Sequence, residues 1–241
     1  MNKKTLLAFG LSAAISFGST ATAADNPWHI GLSINQANLS DISTSSTSQV
    51  ANVTRNINID TDDQTGFGIT IGRTIFSNNN GNKLIAELSY ANNDHDLENL
   101  QFMNNNFAAS EGRSEGSVEV ETISARLTYK FELGKIAPYV GLGIGQSDLE
   151  VDVRYGMSVG TASTSRPPFA TGGDSATAVE FRIGAEYQLS DSLDLFLEYS
   201  AVTVDDIEFS RTGGGPGGLA TTTQSGDFDV NSVNLGLKFN F

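Results

Sequence analysis

The 241-residue chain contains no cysteine. That excludes a disulfide framework and any thiolate metal site. Downstream of residue 23, no apolar run approaches the roughly 18 residues of a membrane-spanning helix. Basic residues are scarce, with 14 Lys and Arg against 28 Asp and Glu and a net charge of −14. A nucleic-acid binder needs the opposite sign, so nucleic acid is excluded as a partner. Only two histidines occur, His29 and His95, which limits general-base chemistry. The hydrophobic fraction of 39% is low for a soluble core protein. It suits strands with one apolar and one polar face joined by hydrophilic loops.

Alternation is the dominant pattern in what remains. At the carboxy end, Val233, Leu235, Leu237, Phe239 and Phe241 alternate with Asn234, Gly236, Lys238 and Asn240. This is a period-two strand ending on an aromatic residue. At the amino end, Lys3 and Lys4 precede an apolar stretch from Leu6 to Phe17 and the small residues Ala21-Thr22-Ala23. That order predicts a signal peptide over residues 1–23, cleaved after Ala23. The apolar stretch is about half the roughly 20 residues of a membrane anchor. Losing Lys3 and Lys4 with the leader takes the net charge from −14 to −16.

The spacing predicts eight strands, at about 28–35, 66–76, 83–92, 118–133, 137–149, 178–189, 193–204 and the terminal strand. Their lengths fit the roughly 9–11 residues of a tilted bilayer-spanning strand. The connections are expected to alternate in length. Residues 36–65, 93–117, 150–177 and 205–227 are long, polar and rich in Ser, Thr, Asn, Asp and Gly, whereas 77–82, 134–136 and 190–192 are tight turns. Four long extracellular loops and three short periplasmic turns are what an eight-stranded outer-membrane barrel requires when both termini lie in the periplasm.

Energetics decides which face meets lipid. With its charged face outward, the strand at 178–189 would put Glu180, Arg182 and Glu186 into hydrocarbon. An Arg near the midplane of such a barrel costs roughly 2–4 kcal/mol. Turned inward, the same phase gathers Glu87, Arg126, Lys130, Glu180, Arg182, Glu186, Asp194, Glu198 and Lys238 into one lumenal charge network, with glycines making room between them. Arg73 resists the pattern, because it shares a phase with Ile71 and Ile75. Either its head snorkels to the periplasmic interface or a bulge reverses the local phase. Trp28, Tyr129, Phe131, Tyr187, Phe239 and Phe241 are expected at the periplasmic rim, and Tyr90 and Tyr199 at the outer rim. A soluble eight-stranded barrel would need the charged face outward, an arrangement the aromatic rims and loop lengths disfavour.

Pro138-Tyr139-Val140-Gly141-Leu142-Gly143-Ile144-Gly145, Gly184-Ala185-Glu186-Tyr187-Gln188-Leu189, Glu198-Tyr199 and the terminal Phe241 together resemble the small outer-membrane barrels. That family includes opacity-type surface antigens and the OmpA-type transmembrane domain. The resemblance spans residues 24–241 and implies an all-β, eight-stranded antiparallel up-and-down transmembrane barrel in a Gram-negative outer membrane. It implies that Phe239 and Phe241 act as an assembly signal read by the barrel assembly machinery. Outer-membrane lipid and lipopolysaccharide are the expected surroundings. No peptidoglycan-binding domain is expected after the last strand.

On this reading the protein is a surface protein with a side-chain-filled lumen. Its loops at 36–65, 93–117, 150–177 and 205–227 would meet an extracellular ligand or host surface. A narrow channel for ions or small solutes is the alternative. A lipid A-modifying enzyme is less favoured, since neither His29 nor His95, expected in the second loop, has a Ser at a spacing that makes a nucleophile–base pair. No catalytic, cofactor or metal residues are assigned. Asp60-Thr61-Asp62-Asp63 lacks the Gly and terminal Glu of an EF-hand loop, and Asp205-Asp206 reads as solvated loop charge. Thr212–Gly218 reads as a flexible loop tip.

Overall fold

The computed structural model describes residues 28–40, 42–48, 53–61, 64–104, 113–156, 168–215 and 218–241. The leader expected at 1–23 lies outside them. Ten strands form: β1 (Trp28–Leu39), β2 (Ile42–Ser48), β3 (Val53–Thr61), β4 (Gln64–Ser77), β5 (Lys83–Asn104), β6 (Arg113–Lys130), β7 (Ile136–Gly156), β8 (Pro168–Ser190), β9 (Leu193–Gly215) and β10 (Gly218–Asn240). Eight of them close a barrel in the order β1-β4-β5-β6-β7-β8-β9-β10, with β10 returning to β1, every pairing antiparallel. The closing seam pairs His29 with Asn240 and Leu39 with Val230. Phe241 and Trp28 exchange two backbone hydrogen bonds, of 2.9 and 3.2 Å. Closure removes the free sheet edges that would otherwise template aggregation.

At the lower end of the barrel, tight turns join β4 to β5, β6 to β7 and β8 to β9. Residues 78–82 turn through Gly81 at φ 82°, where the Asn78 side chain accepts from the Asn80 and Asn82 amides. Gly134, at φ 81°, serves the β6–β7 turn, and Asp191-Ser192 the β8–β9 turn. Both glycines occupy the left-handed region, where a Cβ is strained.

The upper connections differ from the long loops expected. The strands run on as paired wall through much of 93–117, 150–177 and 205–227. Thr212–Gly215 and Gly218 belong to the β9–β10 ladder, where Gly215 pairs with Gly218; residues 216 and 217 lie outside the described residues. Within 36–65, β2 and β3 form a hairpin docked by β3 onto the upper part of β5, which has left β6 beyond Asp96 and Ser117. Polar, glycine-rich sequence reads as loop when only one alternation rule is applied. Here much of it is strand.

Around the lower half of the barrel, large apolar side chains point outward. They include Ile30, Leu32 and Ile34 on β1, Leu142 and Ile144 on β7, Phe181 and Ile183 on β8, and Leu235 and Leu237 on β10. Leu142 is 64% exposed while its neighbours Gly141 and Gly143 face inward. Above this band the outward positions turn polar and acidic, with Asp94 and Asp96 on β5, Asp152 on β7, Asp205 on β9 and Asp227 and Asp229 on β10. Arg73 keeps its outward phase opposite Trp28. A bulge follows it, with Ile75 as the extra residue between the Thr74–Ile85 and Phe76–Leu84 pairs.

Candidate functional site

The barrel interior is the concentration of unusual chemistry, and it has two zones. In the lower zone, register sets charged residues across glycines. Arg126 of β6 pairs with Gly143 of β7, which pairs with Glu180 of β8. The guanidinium reaches over Gly143 to make two bonds to Glu180, Nε–Oε2 at 2.7 Å and Nη2–Oε1 at 2.6 Å. A Cβ at Gly143 would stand 3.0 Å from Arg126 Cγ and 3.2 Å from Glu180 Oε2, so the bare backbone forms the trough. The same device recurs at Gly72, between His29 of β1 and Glu87 of β5. His29 Nε2 lies 3.1 Å from Glu87 Oε1, and a Cβ at Gly72 would stand 2.5 Å from that nitrogen and 2.7 Å from Glu87 Cγ.

Glu87 is the hub. It meets His29, the Arg182 guanidinium and the Thr128 hydroxyl, which donates at 2.5 Å, with Lys238 Nζ 3.8 Å away. Arg182 also donates to Glu198 at 3.1 Å and to Thr128, while its Nε is buried without a hydrogen-bond partner. Glu198 further accepts from the Tyr139 hydroxyl at 2.9 Å. Glu186 takes Lys130 at 3.0 Å and Lys238. Lys238 stands 5.7 Å from the Tyr139 ring centre and 5.9 Å from that of Phe196. Asp194, at the lower rim, accepts from Asn240 at 2.9 Å. All nine residues of the expected charge network thus face the lumen, in clusters around Glu180, Glu87–Glu198 and Glu186, the last two joined through Lys238, with Asp194 beside them. Glu180 is 1% exposed, so these charges are desolvated and rely on one another.

The expected network names only charged residues and leaves out their neutral partners. Tyr139, Thr128, Ser124 and Asn234 share the inward phase of the charges they bond, so strand parity could have found them. Three hydroxyl pairs sit between the zones: Ser89–Ser124 at 2.8 Å, Thr122–Ser147 at 2.7 Å and Ser200–Ser232 at 2.7 Å.

Above those pairs the interior becomes apolar without any change of parity. Ala37, Leu39, Val118, Val120, Leu149, Val151, Ala176, Ala178, Val202, Val204, Phe228 and Val230 form one buried cluster. Register rows supply it. Leu39 pairs with Val230 and Val230 with Val202, and Phe228 pairs with Val204 and Val204 with Ala178. His95 lies in β5 rather than in a loop, fully buried and opposite Val118. The alternation that places Glu87 inward continues unbroken through Ser89 and Asn93 to His95. Asp205 and Asp206 likewise lie within β9; Asp62 and Asp63 lie outside the described residues.

An apolar outer band around a charged interior is the inverse of a soluble protein and requires lipid outside. The model of the outer membrane protein beta-barrel domain family matches residues 9–241. The chain belongs to the outer-membrane β-barrel family. No curated protein matches this barrel by sequence. Among solved structures it is similar to the outer-membrane protein OprG of Pseudomonas aeruginosa, with a TM-score of 0.51 at 16% identity over 93% of this chain and 98% of that one. It is also similar to the outer-membrane protease OmpT of Escherichia coli, with a TM-score of 0.56 at 7% identity over 94% of this chain and 100% of that one. Neisserial surface protein A aligns over 89% of this chain and 97% of its own at 13% identity, with a TM-score of 0.47. At these identities the likeness is one of fold. Membership places the protein in the bacterial outer membrane as a closed eight-stranded antiparallel barrel.

Proposed function

We propose that this outer-membrane barrel is a surface protein with a closed lumen, neither a channel nor an enzyme, whose upper wall and connections form its interaction surface. One observation carries the reading. Two different seals lie in series, an ion-paired layer around Glu87 and Glu180 and an apolar layer around Val204 and Leu149. A permeant ion would have to break several buried pairs and then cross a section lined by Val, Leu and Phe. Eight strands leave an interior that side chains can fill. The histidines support the non-enzymatic side, because His29 is engaged by Glu87 and His95 is enclosed by the wall. A base for acyl transfer at a membrane surface must reach an exposed nucleophile, and both imidazoles are buried. The segments 36–65, 93–117, 150–177 and 205–227 are the parts offered to an extracellular ligand or host surface.

Planar-bilayer recording tests the seal. Wild-type protein is expected to give no stable single-channel steps, and discrete, long-lived openings would overturn the reading. Shortening each upper connection and scoring cell adhesion tests the display role, which falls if every shortened form adheres like wild type.

A further inference from the structure

Arg73 is a cation on the lipid face. It shares the outward phase of Ile69 and Ile71, is half-buried, and sits directly opposite Trp28 in the β1–β4 ladder. Its guanidinium carbon lies 5.3 Å from the centre of the Trp28 ring. Among the described residues no carboxylate pairs with it, in contrast to Arg126, Lys130, Arg182 and Lys238, each of which has a carboxylate. A cation–π contact steadies the head without consuming its in-plane N–H donors. The depth is also fixed. Trp28 hydrogen-bonds Phe241 at the end of the barrel that carries the short turns, the periplasmic rim. Exposed Phe76 and Phe241 flank that rim, where interfacial aromatics sit level with lipid headgroups. The bulge at Ile75 comes after Arg73, so the fold keeps the charge outward although one residue of slip would have hidden it.

We propose that Arg73 and Trp28 form a binding site for the phosphate of an anionic phospholipid in the periplasmic leaflet. The guanidinium donates a pair of in-plane hydrogen bonds to the phosphate oxygens, the geometry in which arginine holds phosphate best. The indole, held against the same head, lies beside the glycerol and upper acyl region.

Trp28 is the only tryptophan in the chain, so its fluorescence reports on this site alone. The folded barrel is placed in phosphatidylcholine vesicles doped with brominated phosphatidylglycerol or, in parallel, brominated phosphatidylcholine. Quenching of Trp28 gives the local enrichment of each lipid. Wild type is expected to favour phosphatidylglycerol by about fivefold, the selectivity one interfacial cation supplies. R73Q is expected to abolish that preference and R73K to keep part of it. Folding of each variant is checked by heat-modifiable gel mobility. Equal quenching by the two lipids in wild type overturns the proposal, and so does a preference that survives R73Q. Loss of the preference on adding millimolar inorganic phosphate at constant ionic strength would assign the site to free phosphate and likewise overturn it.

Discussion

The lower and upper halves of this barrel are built from the same strands with the same side-chain parity, yet they are chemically inverted. On β9 the inward residues read Asp194, Phe196, Glu198, Ser200, Val202, Val204, while the outward ones read Leu195, Leu197, Tyr199, Ala201, Thr203, Asp205. The two series exchange character near Ser200. Below it lipid lies outside, apolar groups cost nothing there, and polar groups must find partners within. Above it water lies outside, and burial of Val, Leu and Phe stabilises the wall as in a soluble barrel. The hydroxyl pairs mark the changeover, small enough to fit either zone. The comparison teaches that inside and outside are not fixed polarities along a strand. Each follows from what the outer face meets at that height.

Because the two zones are held by different forces, they should fail differently. The largest effect is expected from Glu87→Leu, which leaves Arg182 and Lys238 buried with less compensation. Removing one partner of a buried ion network costs about 3–5 kcal/mol. Urea unfolding from lipid vesicles, followed by Trp28 fluorescence, measures it. A midpoint unchanged from wild type would mean that water already screens the hub. Adding Arg182→Met should restore part of the loss, since the two residues share one network.

Next in size is Leu149→Ala in the upper zone, where Leu149 is 2% exposed. The lost transfer energy and residual cavity predict about 3 kcal/mol. This loss should add to that of Glu87→Leu without coupling, because the sites lie in separate layers. Strong coupling in a double-mutant cycle would show that the two seals act as one. A smaller loss, about 1 kcal/mol, is expected for Ser147→Ala at the boundary, which deprives the buried Thr122 hydroxyl of its 2.7 Å partner. The same unfolding titration resolves it, and a stabilised variant would count against the pair as a structural tie.

The lower zone was the more legible half in the sequence. Glu180, Arg182 and Glu186 alternate with Phe181, Ile183 and Ala185, and lipid gives such an alternation only one orientation. The closing strand and the tight turns could be read in the same way, whereas the phase of Arg73 stays open in the sequence and is settled by the bulge that falls after it. The partners within the network could not. That Arg126 crosses Gly143 to Glu180 depends on the register of three strands, which local sequence does not specify. Part of the upper zone reads as loop for a physical reason. Around Ala37, Leu39, Val151 and Ala176 the apolar series sits on the inward parity that is polar lower down, so a single rule for lipid and lumen phases loses the strand where water replaces lipid. Turn-forming residues such as Gly172 and Gly173 reinforced that reading, although both pair within the β7–β8 ladder.

The smallest effect sharpens the comparison most. Arg126 and Glu180 form a two-bond pair in the lower zone with few other partners, chiefly Ser124, whose hydroxyl donates to Glu180 at 2.6 Å. Arg126→Met alone leaves Glu180 desolvated and should cost several kcal/mol, as at Glu87. Arg126→Met with Glu180→Leu replaces both charges by side chains of similar volume and should fall within about 1 kcal/mol of wild type. Ser124 then keeps its bond to Ser89 at 2.8 Å. If the double variant is as unstable as the single, the ion pair itself stabilises the barrel, and the two zones differ in the source of their stability. If it matches wild type, the lower lumen tolerates the apolar filling of the upper one. The charges would then serve to fix which strands pair and in what register, a role that Val and Leu, which fit one another in many alignments, cannot supply.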